Sequence, residues 1–344
     1  MEHALCYVAR VLKIRPIQNA DNVCLAYING WQCVIKIDEF REGDLAIYYS
    51  IDSIPDFSDP NTELVRSRGG RVKTIKLRGV VSQGLLAPLS WLESRGYDIS
   101  NIQEGEDVTD RMGVTKYISS EEIDQYVPAG HSWRDDVTRA PFPVSIPKSE
   151  EVRLQNKPYL LDYLRDRTVV VTRKEDGCSA TFVFENGIFR VCGRNFEWLI
   201  PTCTSRVYHL IADKYAIEEK MRALGKNIAL QGEVVGPKIN SNRHRLAELT
   251  FRVFNIWDLD TSMYLLWEDV ECLCQSIGVD TVPVVFRGPA TGLPLSVEGL
   301  LGLAGDQRYE GQGLAEGIVV KSNDDGKRLS FKVISNKYLL KHNL

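Results

Sequence analysis

Between Leu5 and about Pro88, the short apolar runs CLAYI, WQCVIKI, LAIYYSI and VKTIKL are separated by Asn29-Gly30, Glu42-Gly43-Asp44 and Gly69-Gly70. Runs of this length, rich in β-branched and aromatic residues and bounded by turn formers, predict short strands joined by tight turns. Several strands at this spacing predict a small β-barrel. The pattern changes over residues 118–150, where the acidic SSEEID is followed by the proline-bearing APFPVSIPKSEE. Proline restricts itself and the residue before it, so an extended connector is expected at 121–150, dividing a domain at 1–120 from one at 151–344.

Beyond the connector the periodicity is mixed. TVVVTR predicts an apolar strand running into KEDG, and CSATFVF and IFRVCGR predict two more strands joined through Asn186-Gly187. Leu210, Ile211, Ile217, Met221 and Leu224 fall on a broad helical face with Gly225 as a stop, which predicts one helix from Arg206 to Leu224. Further strands are expected at IALQGEVV, FRVFNIWDL, EGIVVKS and LSFKVIS, and a helix through LLWEDVECLCQSI. Strands and helices in this non-alternating order predict an α+β architecture.

Composition narrows the class. With 344 residues the chain exceeds one ordinary core, and its 26% charged and 44% hydrophobic residues are those of a folded, water-soluble protein. No apolar stretch reaches eighteen residues and the N-terminus lacks a secretory layout, so an intracellular protein with no membrane association is expected, its compartment open. The eight cysteines show no paired CxxC spacing and the five histidines form no HExxH, so reduced thiols and no structural zinc are expected. A net charge of -4 argues against coating nucleic acid by charge alone, yet Arg66, Arg68, Arg71, Lys73, Lys76 and Arg78 form an acid-free basic tract. That tract is either a solvated face or a phosphate-tracking surface.

Two resemblances add chemistry. PIQNADNVCLAYINGWQCVIK and LRGVVSQGLLAPL resemble OB-fold modules, small barrels that present one face to single-stranded nucleic acid. KEDG at 174–177 is a Lys-x-Asp-Gly motif similar to that of the nucleotidyl-acceptor lysine in ligases and RNA-capping enzymes. In that superfamily's order follow CGRN with Arg194, LQGEVVG with Glu233, FRVFNIWD with Phe254, AEGIVVK with Glu316 and Lys321, and LSFKVIS with Lys332. The resemblance implies that Lys174 takes AMP from ATP. Arg194, Glu233, Lys321 and Lys332 would bind the nucleotide, Phe254 would stack on adenine, and Asp176, Glu233 and Glu316 would hold Mg²⁺ or Mn²⁺. A lysine amine, with an ordinary pKa of about 10.4, must be neutral to attack phosphorus. A metal, Arg194 and Lys332 are therefore expected to lower the Lys174 pKa and to stabilise charge on the phosphoryl oxygens.

Twelve residues follow Lys332, at 333–344. The barrel-like module stands before the catalytic half and not after it, an order that resembles the fifth family of RNA ligases, which join 3′-OH and 5′-phosphate ends. The fold so implied is an N-terminal OB-like β-barrel followed by a covalent nucleotidyltransferase (adenylation) domain of antiparallel sheets with helices. The implied partners are RNA ends in a nicked duplex; the oligomeric state, monomer or larger, stays open. The chain departs from the Lys-x-Lys of many RNA ligases in carrying Ser330 before Lys332, with Lys327 and Arg328 nearby. Two other readings remain open: a nick-sealing enzyme for DNA or DNA–RNA hybrids, and a nucleic-acid-binding protein with a degenerate catalytic half.

Overall fold

The computed structural model describes residues 4–118, 138–202, 205–324 and 326–344. The chain divides into two compact units. One comprises residues 1–119 with 153–159 and 336–344; the other comprises 120–152 and 160–335.

In the first unit the expected strands form at Val23–Ile28, Trp31–Lys36, Leu45–Tyr49 and Thr74–Leu77. Asn29, at φ 46°, turns Val23–Ile28 back onto Trp31–Lys36, so that Ile28 pairs with Trp31. Cys6–Arg10, Leu45–Tyr49 and Leu85–Pro88 make one antiparallel sheet, and Lys13–Pro16, Val23–Ile28 and Trp31–Lys36 make another. The fold is an OB-fold, but the expected barrel is not closed by a continuous backbone ladder, because side chains carry one seam. Gln32 Nε2 donates to the Val81 carbonyl at 2.7 Å, and the Val34 N–H donates to Ser82 Oγ at 3.0 Å. Tyr7, Trp31 and Tyr48 pack in one apolar cluster of this unit, and Ile47, Tyr49, Leu92 and Met112 in a second. Each such side chain contributes roughly 1.5–3 kcal/mol on burial.

The second unit holds two sheets. Its larger one runs Arg139–Pro141, Phe196–Trp198, Ile188–Cys192, Cys178–Glu185, Ile228–Val235, Thr250–Asp258, Met263–Tyr264, with Asp280–Thr281 added in parallel to Thr250–Asp258. The smaller runs Val284–Pro289, Thr168–Lys174, Gly317–Ser322, Ser330–Ile334. Ladders are otherwise antiparallel, in keeping with the α+β expectation. The core between the large sheet and its helices centres on Phe182, Leu230, Phe251 and Ile256. Trp267–Ile277 is helical as expected.

Residues 119–137, most of the expected connector, lie outside the described residues. Its later part joins the second unit: Phe142 and Ile146 are buried beside Val183 and Ala229, and Gln231 Nε2 donates to the Pro147 carbonyl at 2.8 Å. The single helix expected from Arg206 to Leu224 is instead two, Arg206–Lys214 and Ile217–Leu224, broken by Ala216 at φ 49°. Six residues turn a continuous helix through about 600°, leaving Ile211 and Ile217 about 120° apart. The break allows both to be fully buried, while Leu210, assigned to the same face, is exposed. Among the described residues no helix is long and apolar enough to cross a membrane.

Candidate active site

Thr168–Lys174 is a strand of the small sheet and Cys178–Glu185 a strand of the large one, so KEDG is the crossing between them. Strand pleat then fixes which side chains share a face. Lys174 pairs with Gly317, and Val319 pairs with both Thr172 and Lys332. Directly paired residues, and residues two apart, point the same way, so Lys174, Lys321 and Lys332 lie on one face of the small sheet.

The Lys174 ammonium donates to Glu316 Oε2 at 2.8 Å. Burial lowers its pKa, but Glu316, then Glu233 and Asp176, outweigh burial and the net shift is upward. The lowered pKa expected from the sequence is thus not a property of the protein alone, because the nearest charges are carboxylates. Glu233 Oε1 accepts from the Gly177 N–H at 3.1 Å. Burial, opposed by Lys174 and reinforced by Glu316 and Asp176, pushes the Glu233 carboxyl up to about 8. Asp176 accepts from Asn240 Nδ2 and from Arg243 Nη1, each at 2.6 Å. Gly177 permits this approach: a Cβ there would lie 2.2 Å from the Val234 carbonyl oxygen and 2.9 Å from Glu233 Cγ.

Among the described residues no three His, Cys, Asp or Glu side chains stand in metal-binding geometry. The donor chemistry nonetheless fits a divalent cation. Three carboxylates act on one ammonium, and one of them is so desolvated that it favours its proton.

Lys321 Nζ donates to the Phe254 carbonyl at 2.5 Å and lies 5.8 Å from the centre of the Phe254 ring and 5.2 Å from that of Trp267. Phe254 is the extra residue of a β-bulge, since Val253 pairs with Gly232 and Asn255 with Gln231. A bulge re-aims its side chain, a common device beside active sites. Burial and then Arg328, against the pull of Glu151, bring the Lys321 pKa down to about 7. In the unfolded chain Lys321 regains its ordinary value of about 10.4 and binds more protons between those limits. Wild-type protein is therefore expected to gain stability relative to Lys321→Met as pH rises from about 7 towards 10. Denaturant midpoints across that range check it, and parallel pH profiles for the two proteins would contradict it.

Arg194 pairs with Glu150, and the Lys332 N–H donates to the Val152 carbonyl at 2.8 Å. Arg71 Nη2 donates to the Asn343 carbonyl at 2.8 Å, and Lys73 Nζ to Asn343 Oδ1 at 2.7 Å. Arg66, Arg68, Lys76 and Arg78 are exposed.

Sequence reasoning missed a group behind the motif. Arg173 and Arg252 both bind Glu175 and Glu310, with Nε of Arg173 at 2.6 Å from Glu175 Oε1 and Nη1 of Arg252 at 2.8 Å from Oε2. Burial raises the Glu310 pKa, but these two guanidinium groups outweigh it and hold the carboxyl at about 2. His244, nearly fully buried, stacks on Tyr309 with centroids 3.7 Å apart. Burial holds its imidazole below the usual value, against Glu175. The one available signal was KINSNRHR at 238–245, dense in residues that tolerate left-handed backbone: Lys238, Asn240, Ser241, Asn242 and Arg245 all have φ between 43° and 67°.

Comparison with known proteins gives the family. The RNA ligase family model matches residues 167–334, and an OB-fold domain model matches 5–89. No curated protein matches the chain. Among solved structures, a mutant of Naegleria gruberi RNA ligase with ATP and Mn is 30% identical with a TM-score of 0.83, covering 99% of this chain and 100% of that one. A mutant of the same ligase with AMP and Mn is 32% identical at TM-score 0.82, and the ligase with PPi is 31% identical at 0.82, each covering 99% of both chains. The chain belongs to the RNA ligase family, with an N-terminal OB-fold domain before its ligase domain.

Proposed function

We propose that the protein is an ATP-dependent RNA ligase that joins 3′-OH and 5′-phosphate ends through a covalent lysyl-AMP on Lys174. The observation that carries this reading is the placement of Lys174 at the crossing of two sheets, hydrogen-bonded to Glu316 and on the face that also carries Lys321 and Lys332.

Lys174 must shed a proton before Nζ attacks the α-phosphorus of ATP, and Glu316 Oε2, 2.8 Å away, is the atom placed to hold it. Pyrophosphate then leaves in line. Lys321 and Lys332 supply positive charge to the phosphoryl oxygens, Arg194 binds phosphate, and Phe254 stacks on adenine. Asp176, Glu233 and Glu316 would hold Mg²⁺ or Mn²⁺, which when bound adds positive charge that lowers the proton affinity of Lys174 and offsets the negative charge of the phosphates. AMP next passes from Lys174 to the 5′-phosphate of one RNA strand, and the 3′-OH of the other displaces it. We place the RNA ends in a nicked duplex, with Arg66, Arg68, Lys76 and Arg78 on backbone phosphates, and the protein inside the cell, where its seven described cysteines stay as free thiols.

Sealing of matched nicks that differ only in the sugar at the 3′-OH end tests this, because RNA recognition reads the 2′-hydroxyl. Faster joining from the ribose end is expected. Equal or faster joining from deoxyribose would favour a DNA or hybrid nick sealer.

A further inference from the structure

Tyr309 is buried directly behind the acceptor lysine and touches it through the main chain. Its hydroxyl accepts from the Glu316 N–H at 3.0 Å and donates to the Lys174 carbonyl at 3.3 Å. One oxygen thus ties the residue that carries the nucleophile to the residue whose carboxylate holds it. The Tyr309 ring stacks on His244, and His244 Nε2 accepts from the Asp176 N–H at 3.4 Å. That contact leaves the proton of a neutral ring on Nδ1, which faces Glu175 Oε2 at 3.2 Å, within ion-pair range though not aligned as a hydrogen bond. Glu175 is in turn fixed by Arg173 and Arg252.

We propose that Glu175, His244 and Tyr309 are positioning residues for adenylylation, a relay that sets the main chain of Lys174, Asp176 and Glu316 in register across the crossing of the two sheets. The inference rests on the ligase reading, and none of its three positioning residues is among the groups that reading assigns to nucleotide or metal. Two features favour positioning over stability alone. Buried ion pairs stabilise a fold no better than apolar residues of similar volume, so the buried pairs of Glu175 with Arg173 and Arg252 are a poor device for stability and a good one for geometry. With these two guanidinium groups against the Glu175 and Glu310 carboxylates, the cluster also brings no net charge to Lys174. What it fixes is distance.

Tyr309→Phe tests the relay gently, since the ring keeps its volume and stacking surface and loses one oxygen. The measurement is single-turnover transfer of label from α-labelled ATP to the protein with Mn²⁺, over a range of ATP concentrations, together with the melting midpoint. The rate at saturating ATP is expected to fall about tenfold, since small misplacements of reacting groups have effects of this order. The half-saturating ATP concentration stays at its wild-type value, and the melting midpoint falls only by the small amount that losing one buried hydroxyl costs, leaving the protein fully folded at the assay temperature. A variant that labels at the wild-type rate, or that loses rate only through weaker ATP binding or partial unfolding at the assay temperature, would overturn the relay while leaving the ligase reading intact. Wild-type protein that takes no label would overturn the ligase reading and the relay with it.

Discussion

Lys174→Ala is expected to take no label from α-labelled ATP at any metal concentration while retaining its fold. The lysine supplies the nucleophile; of the two other lysines on its face, Lys321 Nζ is committed to the Phe254 carbonyl, and Lys332 stands two strands away. The fold should survive because Lys174 ends its strand, and its main-chain pairing with Gly317 does not need the side chain. The electrostatic consequence is specific. Lys174 is the group that holds the Glu233 pKa down, so its removal drives that carboxyl further up from about 8 and leaves Glu316 without its ion-pair partner. Lysyl-AMP formation is read by label that survives denaturation, and folding by circular dichroism. Labelled Lys174→Ala would contradict the assignment.

Gly177→Ala should be nearly as damaging by a different route. The added methyl meets the Val234 carbonyl oxygen at 2.2 Å and the side chain of Val235 at 2.8 Å, inside a strand pairing of Cys178 with Val234. The backbone oxygen cannot move without breaking that ladder, so the strain is shared between the sheet and the 174–177 crossing. Overpacking of this kind costs about 1–3 kcal/mol. The hydrogen bond from the Gly177 N–H to Glu233 Oε1 moves with it, so lysyl-AMP formation should fall by about a hundredfold even in the folded fraction. Thermal melting and single-turnover labelling measure the two effects separately. A variant that melts and labels as wild type does would show that the crossing is looser than its geometry requires.

The motif residues were legible because strands keep order. KEDG, Glu233, Glu316, Lys321 and Lys332 each lie in or beside an apolar run whose period of two announces a strand, and antiparallel pairing brings those runs together. What the sequence concealed lies between strands. Glu175 reaches Arg252 and His244 across 77 and 69 positions, and Arg173 reaches Glu310 across 137, with His244 in a loop whose left-handed residues leave no hydrophobic period to follow. The helix break at Ala216 carries no proline or glycine between Arg206 and Leu224, and only the burial of Ile217 shows why it is there. The bulge at Phe254 is silent for a similar reason, since TFRVFNIWD reads as an ordinary strand with or without it. In the OB unit the strands were visible, but a seam made by Gln32 and Ser82 side chains is not encoded by any run of residues. The basic tract, contiguous in sequence, is spread over a helix end, a loop and a hairpin, with Arg71 and Lys73 hydrogen-bonded to Asn343, a placement no period in the sequence announces.

The central claim is that one lysine at the crossing of two sheets becomes covalently adenylylated. Wild-type protein incubated with ATP and Mn²⁺, digested and sequenced by tandem mass spectrometry, should carry the mass of a single AMP group on the peptide containing residues 174–177, at Lys174. No adduct, or an adduct at a different residue with Lys174 unmodified, would contradict it.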